Sequence, residues 1–166
     1  MAILEILKFP DPRLRTKAKT ITEFNKELAR IAEDMFETMY DARGVGLAGT
    51  QVNIHLRIFT MDVSEKGNER IVVCNPEIIK VEGDYTIDEG CLSVEHAWDK
   101  VKRGQKVWMR GQDIKGKAFE LVGENLMAKC MQHEVDHLNG KLFIDHLSRL
   151  KQERIRQKIE KLHRRD

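Results

Sequence analysis

An α+β fold is what this sequence predicts, on three observations. A helical repeat of apolar residues runs from about Glu23 to Ala42. Short β-branched or aromatic runs fill the middle of the chain, from about Arg57 to Val122. Two further helical stretches then close it, at about Glu124 to His137 and Ser148 to His163. Strands grouped between helices argue against the alternating βαβ order of a parallel sheet. The expected architecture is antiparallel or mixed sheets around a central helix, with an N-terminal helix and a basic C-terminal helix.

The segment Ile6 to Arg15 holds two of the three prolines. It is expected to be extended or turning, because proline constrains both itself and the residue before it. In the first helix, Phe24, Leu28, Ile31, Ala32, Met35, Phe36, Met39 and Tyr40 recur at steps of three and four and share one face. Gly44 is expected to end it, and Gly44 to Gln51 (G-V-G-L-A-G-T-Q) is too rich in glycine for a helix interior. Strands are expected at Arg57 to Asp62, Arg70 to Cys74, Glu77 to Val81, Ala97 to Val101, Lys106 to Arg110 and Ala118 to Val122. Asn139-Gly140 should stop the second helix. No repeat, low-complexity tract or linker divides residues 1–166, which read as one domain.

Composition narrows the function classes. Of the 166 residues 34% are charged and 41% hydrophobic, which is ordinary globular usage. A net charge of +2 is too balanced for a general nucleic-acid binder, and DNA is not an expected partner. Apolar runs such as Ile71-Val72-Val73-Cys74 fall far short of the roughly 20 residues of a membrane span, so no membrane partner is expected. Three cysteines in a chain of this length, with no usable apolar leader, point to the cytoplasm. The charge is uneven: Ser148 to Asp166 carries eight basic and three acidic residues, net +5, so the remainder carries −3.

His133-Glu134-Val135-Asp136-His137 is an H-E-x-x-H sequence on an expected helix. Spacing of four brings both imidazoles to one face, where they can hold one metal ion. Glu134 is placed to take a proton from a metal-bound water rather than to bind the metal. The third ligand separates the classes. Phe143 occupies the position where metzincins carry a third histidine. A zinc peptidase could use Glu160, although that residue sits in a strongly basic helix. Cys91, in Glu89-Gly90-Cys91-Leu92-Ser93, is the better candidate, since a thiolate and two imidazoles leave a fourth position open for water. Cys74 and Cys130 read as core or pocket wall. A binding protein with a structural metal is the other alternative.

Three ordered blocks, G-V-G-L-A-G-T-Q, E-G-C-L-S and Q-H-E-V-D-H, closely resemble those of the peptide deformylase family, and the likeness spans nearly the whole chain. The resemblance implies an α+β fold and removal of the N-formyl group from formyl-methionyl nascent polypeptides, with release of formate. It implies one ion per chain, natively Fe(II), with zinc, nickel or cobalt able to substitute. Cys91, His133 and His137 match the metal ligands, and Glu134 matches the carboxylate that serves as general base and acid toward metal-bound hydroxide. Gln51 and the backbone N–H of Leu92 match the oxyanion donors. Val45, Gly46, Ile87, Gly90, Leu126 and Cys130 match substrate-binding positions. The resemblance also supports contact between the basic terminal helix, Arg149 to Arg165, and the ribosome. Gly49, Glu95, Trp98 and Lys129 depart from the usual family pattern, and should alter substrate handling rather than the chemistry.

Overall fold

Local signals set where each element starts and stops in the computed structural model, which describes residues 2–164. Expectations for Met1, Arg165 and Asp166 lie outside the described residues. The helix α1 spans Lys26–Asp41. It starts later than the apolar repeat suggests because the Asn25 side chain caps it, accepting a 3.0 Å hydrogen bond from the Leu28 N–H. Its end corrects the sequence reading. Arg43, not Gly44, takes the left-handed backbone (φ 58°), and the Gly44 N–H returns to the Met39 carbonyl at 2.9 Å. Gly44 is small for a different reason: a Cβ there would lie 2.7 Å from Leu92 Cδ1.

The glycine-rich stretch contains strand β1, Gly46–Ala48, and then a 3-10 turn at Gly49–Val52. The remaining strands are β2 Ile58–Met61, β3 Ile71–Glu82, β4 Tyr85–Cys91, β5 Val94–Arg103, β6 Lys106–Gln112 and β7 Ala118–Glu124. Two expected strands merge in β3. The Asn75-Pro76 pair that reads as a break is a bulge within it. Asn75 (φ 49°) holds that bulge, accepting from the Ile21 N–H and donating to the Ile21 carbonyl and to Gln112. β4 escapes the sequence reading because T-I-D-E-G lacks a run of strand formers. Its cross-strand partners on β5 supply the stabilisation, with Asp88 opposite Lys100 and Thr86 opposite Lys102.

All these pairings are antiparallel. β1-β2-β3-β6-β7 form one sheet, and β4-β5 form a separate hairpin. The second helix, α2, spans Leu126–Leu138. Ala128, Met131 and Leu138 pack with Phe59, Met61, Val73, Val107 and Met109 of the five-stranded sheet. The hairpin lies against α2 as well, so one helix sits between two β layers. The last helix, α3, spans Arg149–Arg164. It buries Ile159 in a cluster with Leu7, Phe9, Val94, Ala97 and Val101, and Lys151 reaches Asp99 of β5 at 3.2 Å. Among the described residues, no helix is long and apolar enough to cross a membrane.

Candidate metal centre

Two periodicities converge on one point. The turn of α2 places His133 and His137 together, their Nε2 atoms 3.1 Å apart. The alternation of β4 places Glu89 and Cys91 on one face of the strand, and Cys91 Sγ lies 3.2 Å from His137 Nε2. All three donor atoms fall within 4.8 Å of one another, the histidines buried and the cysteine half-buried. Ligand atoms on a tetrahedral metal with bonds of about 2.0–2.3 Å stand roughly 3.3–3.6 Å apart. The cluster therefore fits a single ion. A cation at its centre turns a repulsive convergence of lone pairs into an attractive one.

The donors are held from behind. His133 Nδ1–H donates to Glu89 at 2.5 Å, which leaves Nε2 free to face the cluster. Glu89 is fully buried and accepts two hydrogen bonds from the Arg103 fork, at 3.0 and 2.7 Å. A third Arg103 nitrogen reaches Asp136 at 2.7 Å, and Asp136 also pairs with His146. Burial works against the Glu89 carboxylate, but the hydrogen bonds from His133 and Arg103 overcome it and pull its pKa down to about 2. One guanidinium thus ties the strand that carries Cys91 to the helix that carries both histidines.

Glu134 is 3% exposed, and its Oε1 has no hydrogen-bond partner among the described residues. Burial pushes its carboxyl up to about 7, with His133 pulling against the rise and Glu89 adding to it. Gly46 makes room for it. A Cβ at Gly46 would lie 2.5 Å from Glu134 Oε2 and 2.6 Å from Cys130 Sγ. Gln51 is 1% exposed. Its Oε1 accepts from the Ala48 N–H at 2.9 Å, so its amide nitrogen points toward Ser93 Oγ (3.1 Å) and Cys91 Sγ (3.6 Å).

A cavity of about 300 Å³ opens onto this cluster. Val45, Gly46, Gln51, Gly90, Leu92 and Cys130 all line it, beside Cys91, His133 and Glu134. Ile87 and Leu126 do not. Ile87 lies four residues before Cys91 on β4, about 13 Å along the strand, and Leu126 lies two turns before His133, about 10 Å along the helix. Arg43, Trp98 and Lys129 line the cavity with the others. Glu160, the peptidase alternative, is exposed on α3 and is not part of the donor cluster. The sequence gives no sign of Arg103, and Glu89, Ser93 and Asp136 stand in its motifs without a role. For Glu89 a signal existed: it stands two residues before the cysteine, on the same face if the segment is a strand.

The fold, the three donors and the buried carboxylate at an open cavity are those of a metallohydrolase. Comparison with known proteins gives the family. Residues 3–153 match the family described as polypeptide deformylase, and the chain belongs to it. A peptide deformylase from Legionella pneumophila is 49% identical, with a TM-score of 0.92 over 98% of this chain and 96% of that one. The Ehrlichia chaffeensis peptide deformylase, solved in complex with actinonin, is 33% identical, with a TM-score of 0.94 over 99% of each chain. The Thermotoga maritima peptide deformylase is 41% identical, with a TM-score of 0.83 over 88% of this chain and 98% of that one. This protein is accordingly an enzyme acting on N-formyl peptides.

Two outcomes follow from these contacts. Arg103→Met leaves the Glu89 carboxylate buried without its cation and should cost about 3–5 kcal/mol in urea unfolding. Adding Glu89→Gln should recover part of that loss, whereas full stability in the single variant would show the pair to be dispensable. Glu134, with its folded pKa raised to about 7, binds protons more tightly folded than unfolded. Metal-free protein therefore loses stability as pH rises from about 4.5 through 7, by about 3 kcal/mol in all. Unfolding of Glu134→Gln at pH 5 and pH 8 should show the variant gaining on the parent at the higher pH, and a pH-independent gap would contradict the raised pKa.

Proposed function

We propose that this chain removes the formyl group from formyl-methionyl nascent polypeptides in the cytoplasm, releasing formate, with residues 1–166 acting as one catalytic unit. The observation that carries the reading is the buried Glu134 carboxylate, whose Oε1 has no hydrogen-bond partner among the described residues, beside the converging Cys91, His133 and His137 donors. Those three residues would hold one ion, natively Fe(II), with zinc, nickel or cobalt able to take its place. A sulfur and two imidazoles form a donor set that suits all of these metals. A bound ion supplies Lewis acidity, which makes water acidic near neutrality and polarises a carbonyl oxygen.

Glu134 takes the proton of the attacking water as the new bond to the formyl carbon forms. The same carboxyl then delivers that proton to the amine nitrogen as the C–N bond breaks, so the products are formate and a free N-terminus. Burial, which raises the Glu134 carboxyl in the metal-free protein, favours its holding that proton between the two halves of the exchange. The Gln51 amide nitrogen, fixed by its bond to Ala48 through the opposite end of the side chain, donates to the formyl oxygen together with the Leu92 N–H. Val45, Gly46, Gly90 and Cys130 flank the substrate in the cavity. Since β1 and β4 each have an edge without a strand partner among the described residues, the peptide main chain has two places to add as a strand. The basic outer face of α3 is the candidate contact for the ribosome.

Formate release from formyl-Met-Ala-Ser by anaerobically purified protein tests the reading. Glu134→Ala should retain its metal while losing at least about 100-fold in kcat. Retained turnover in that variant, or cleavage at internal peptide bonds instead, would overturn the assignment.

A further inference from the structure

The mouth of the cavity differs in character from its floor. The floor holds the donors and the buried carboxylates, of which Glu89 is already matched by Arg103. The mouth holds two cations and an indole. Arg43 is exposed at the left-handed turn that follows α1. Lys129 is half-buried on α2, one helical turn before His133. Among the described residues neither cation has a salt-bridge partner, whereas Arg103, the cation beside the donors, is paired with both Glu89 and Asp136. Trp98 is 70% exposed, yet its ring packs on the backbone of β4: a Cβ at Gly90 would lie 2.3 Å from Trp98 Cζ3.

These groups line the same cavity as Cys91, His133 and Glu134. The β1 edge and the β4 edge both border the cavity, and an extended chain laid between them turns successive side chains to alternate faces. We propose that Arg43, Lys129 and Trp98 make the mouth a charge filter, which favours formyl peptides with acidic side chains directly after the formylated residue and disfavours basic ones. The inference rests on the deformylase reading above. Arg43 and Lys129 supply the attraction. Trp98 supplies an apolar wall that displaces water from one side of the path and so weakens screening of the two charges.

The test uses metal-loaded protein and three peptides of equal length: formyl-Met-Asp-Glu, formyl-Met-Ala-Ser and formyl-Met-Lys-Arg. Formate release at low ionic strength should rank acidic, neutral, basic, with kcat/KM for the first and last differing roughly tenfold. The gap should shrink in concentrated salt. Lys129→Glu, which takes the pair from +2 to zero, should abolish the gap, and Arg43→Asn, a residue suited to left-handed backbone, should narrow it. Should Lys129→Glu fail to fold, the Arg43→Asn result decides alone. A readout apart from turnover comes from Trp98 fluorescence in a Trp108→Phe background, where the deformylated acidic peptide should bind more tightly than the basic one. Equal kcat/KM for all three peptides, or a preference unchanged by both substitutions, overturns the filter and leaves the deformylase reading intact. No formate from any peptide overturns that reading, and the filter with it.

Discussion

The carboxylate of Glu89, gripped on one side by the Arg103 fork and on the other by His133, is the interaction on which the rest of the centre depends. It joins β4, β5 and α2, three elements that share no local sequence. Other polar contacts join the hairpin to the helix, as Arg103 does with Asp136, but Glu89 bonds directly to a histidine of the cluster from the strand that carries Cys91. The Glu89 hydrogen bond also selects the His133 tautomer, so that Nε2 faces the cluster. Burial of such a pair is costly, and its expected return here is geometric rather than energetic.

A second constraint comes from close approach. β1 passes so near α2 that a side chain at Gly46 would occupy the place of Glu134 or Cys130. That leaves Glu134 enclosed, with the Cys130 thiol on one oxygen and no hydrogen-bond partner among the described residues for the other, and raised toward neutrality. A buried carboxylate of this kind weakens the fold while equipping the site to exchange a proton, a common bargain between stability and activity. Gln51 is subject to the opposite treatment. Its amide oxygen is tied to Ala48, so its nitrogen is aimed before any substrate arrives.

Much of this was legible in the sequence because it depends on short-range periodicity. The apolar stripe of α1 and the paired histidines of α2 are both properties of the 3.6-residue repeat, and Asn139-Gly140 marks the end of α2 plainly. The arrangement of helices around antiparallel strands followed from their order along the chain. What was not legible depends on partners distant in sequence. β4 reads as a polar loop until β5 pairs with it, and the break at Asn75-Pro76 is a bulge because Ile21 and Gln112 hold it. Gly44 is conspicuous as a helix stop, yet Arg43 takes the left-handed turn, and the need for glycine at 44 comes from Leu92, which is distant in sequence. Arg103 and Asp136 look like ordinary surface charges until the fold buries the first against the half-buried second. Ile87 and Leu126, matched to substrate-binding positions only by the resemblance, are not among the residues that line this cavity.

The central claim is that one sulfur and two imidazole nitrogens hold a single ion at the meeting point of β4 and α2. X-ray absorption spectroscopy of the metal-loaded protein measures this directly. The account predicts one sulfur scatterer at about 2.3 Å and two imidazoles at about 2.0–2.1 Å from the ion, with the sulfur contribution lost in Cys91→Ala. A first coordination sphere of nitrogen and oxygen alone in the parent protein would contradict it.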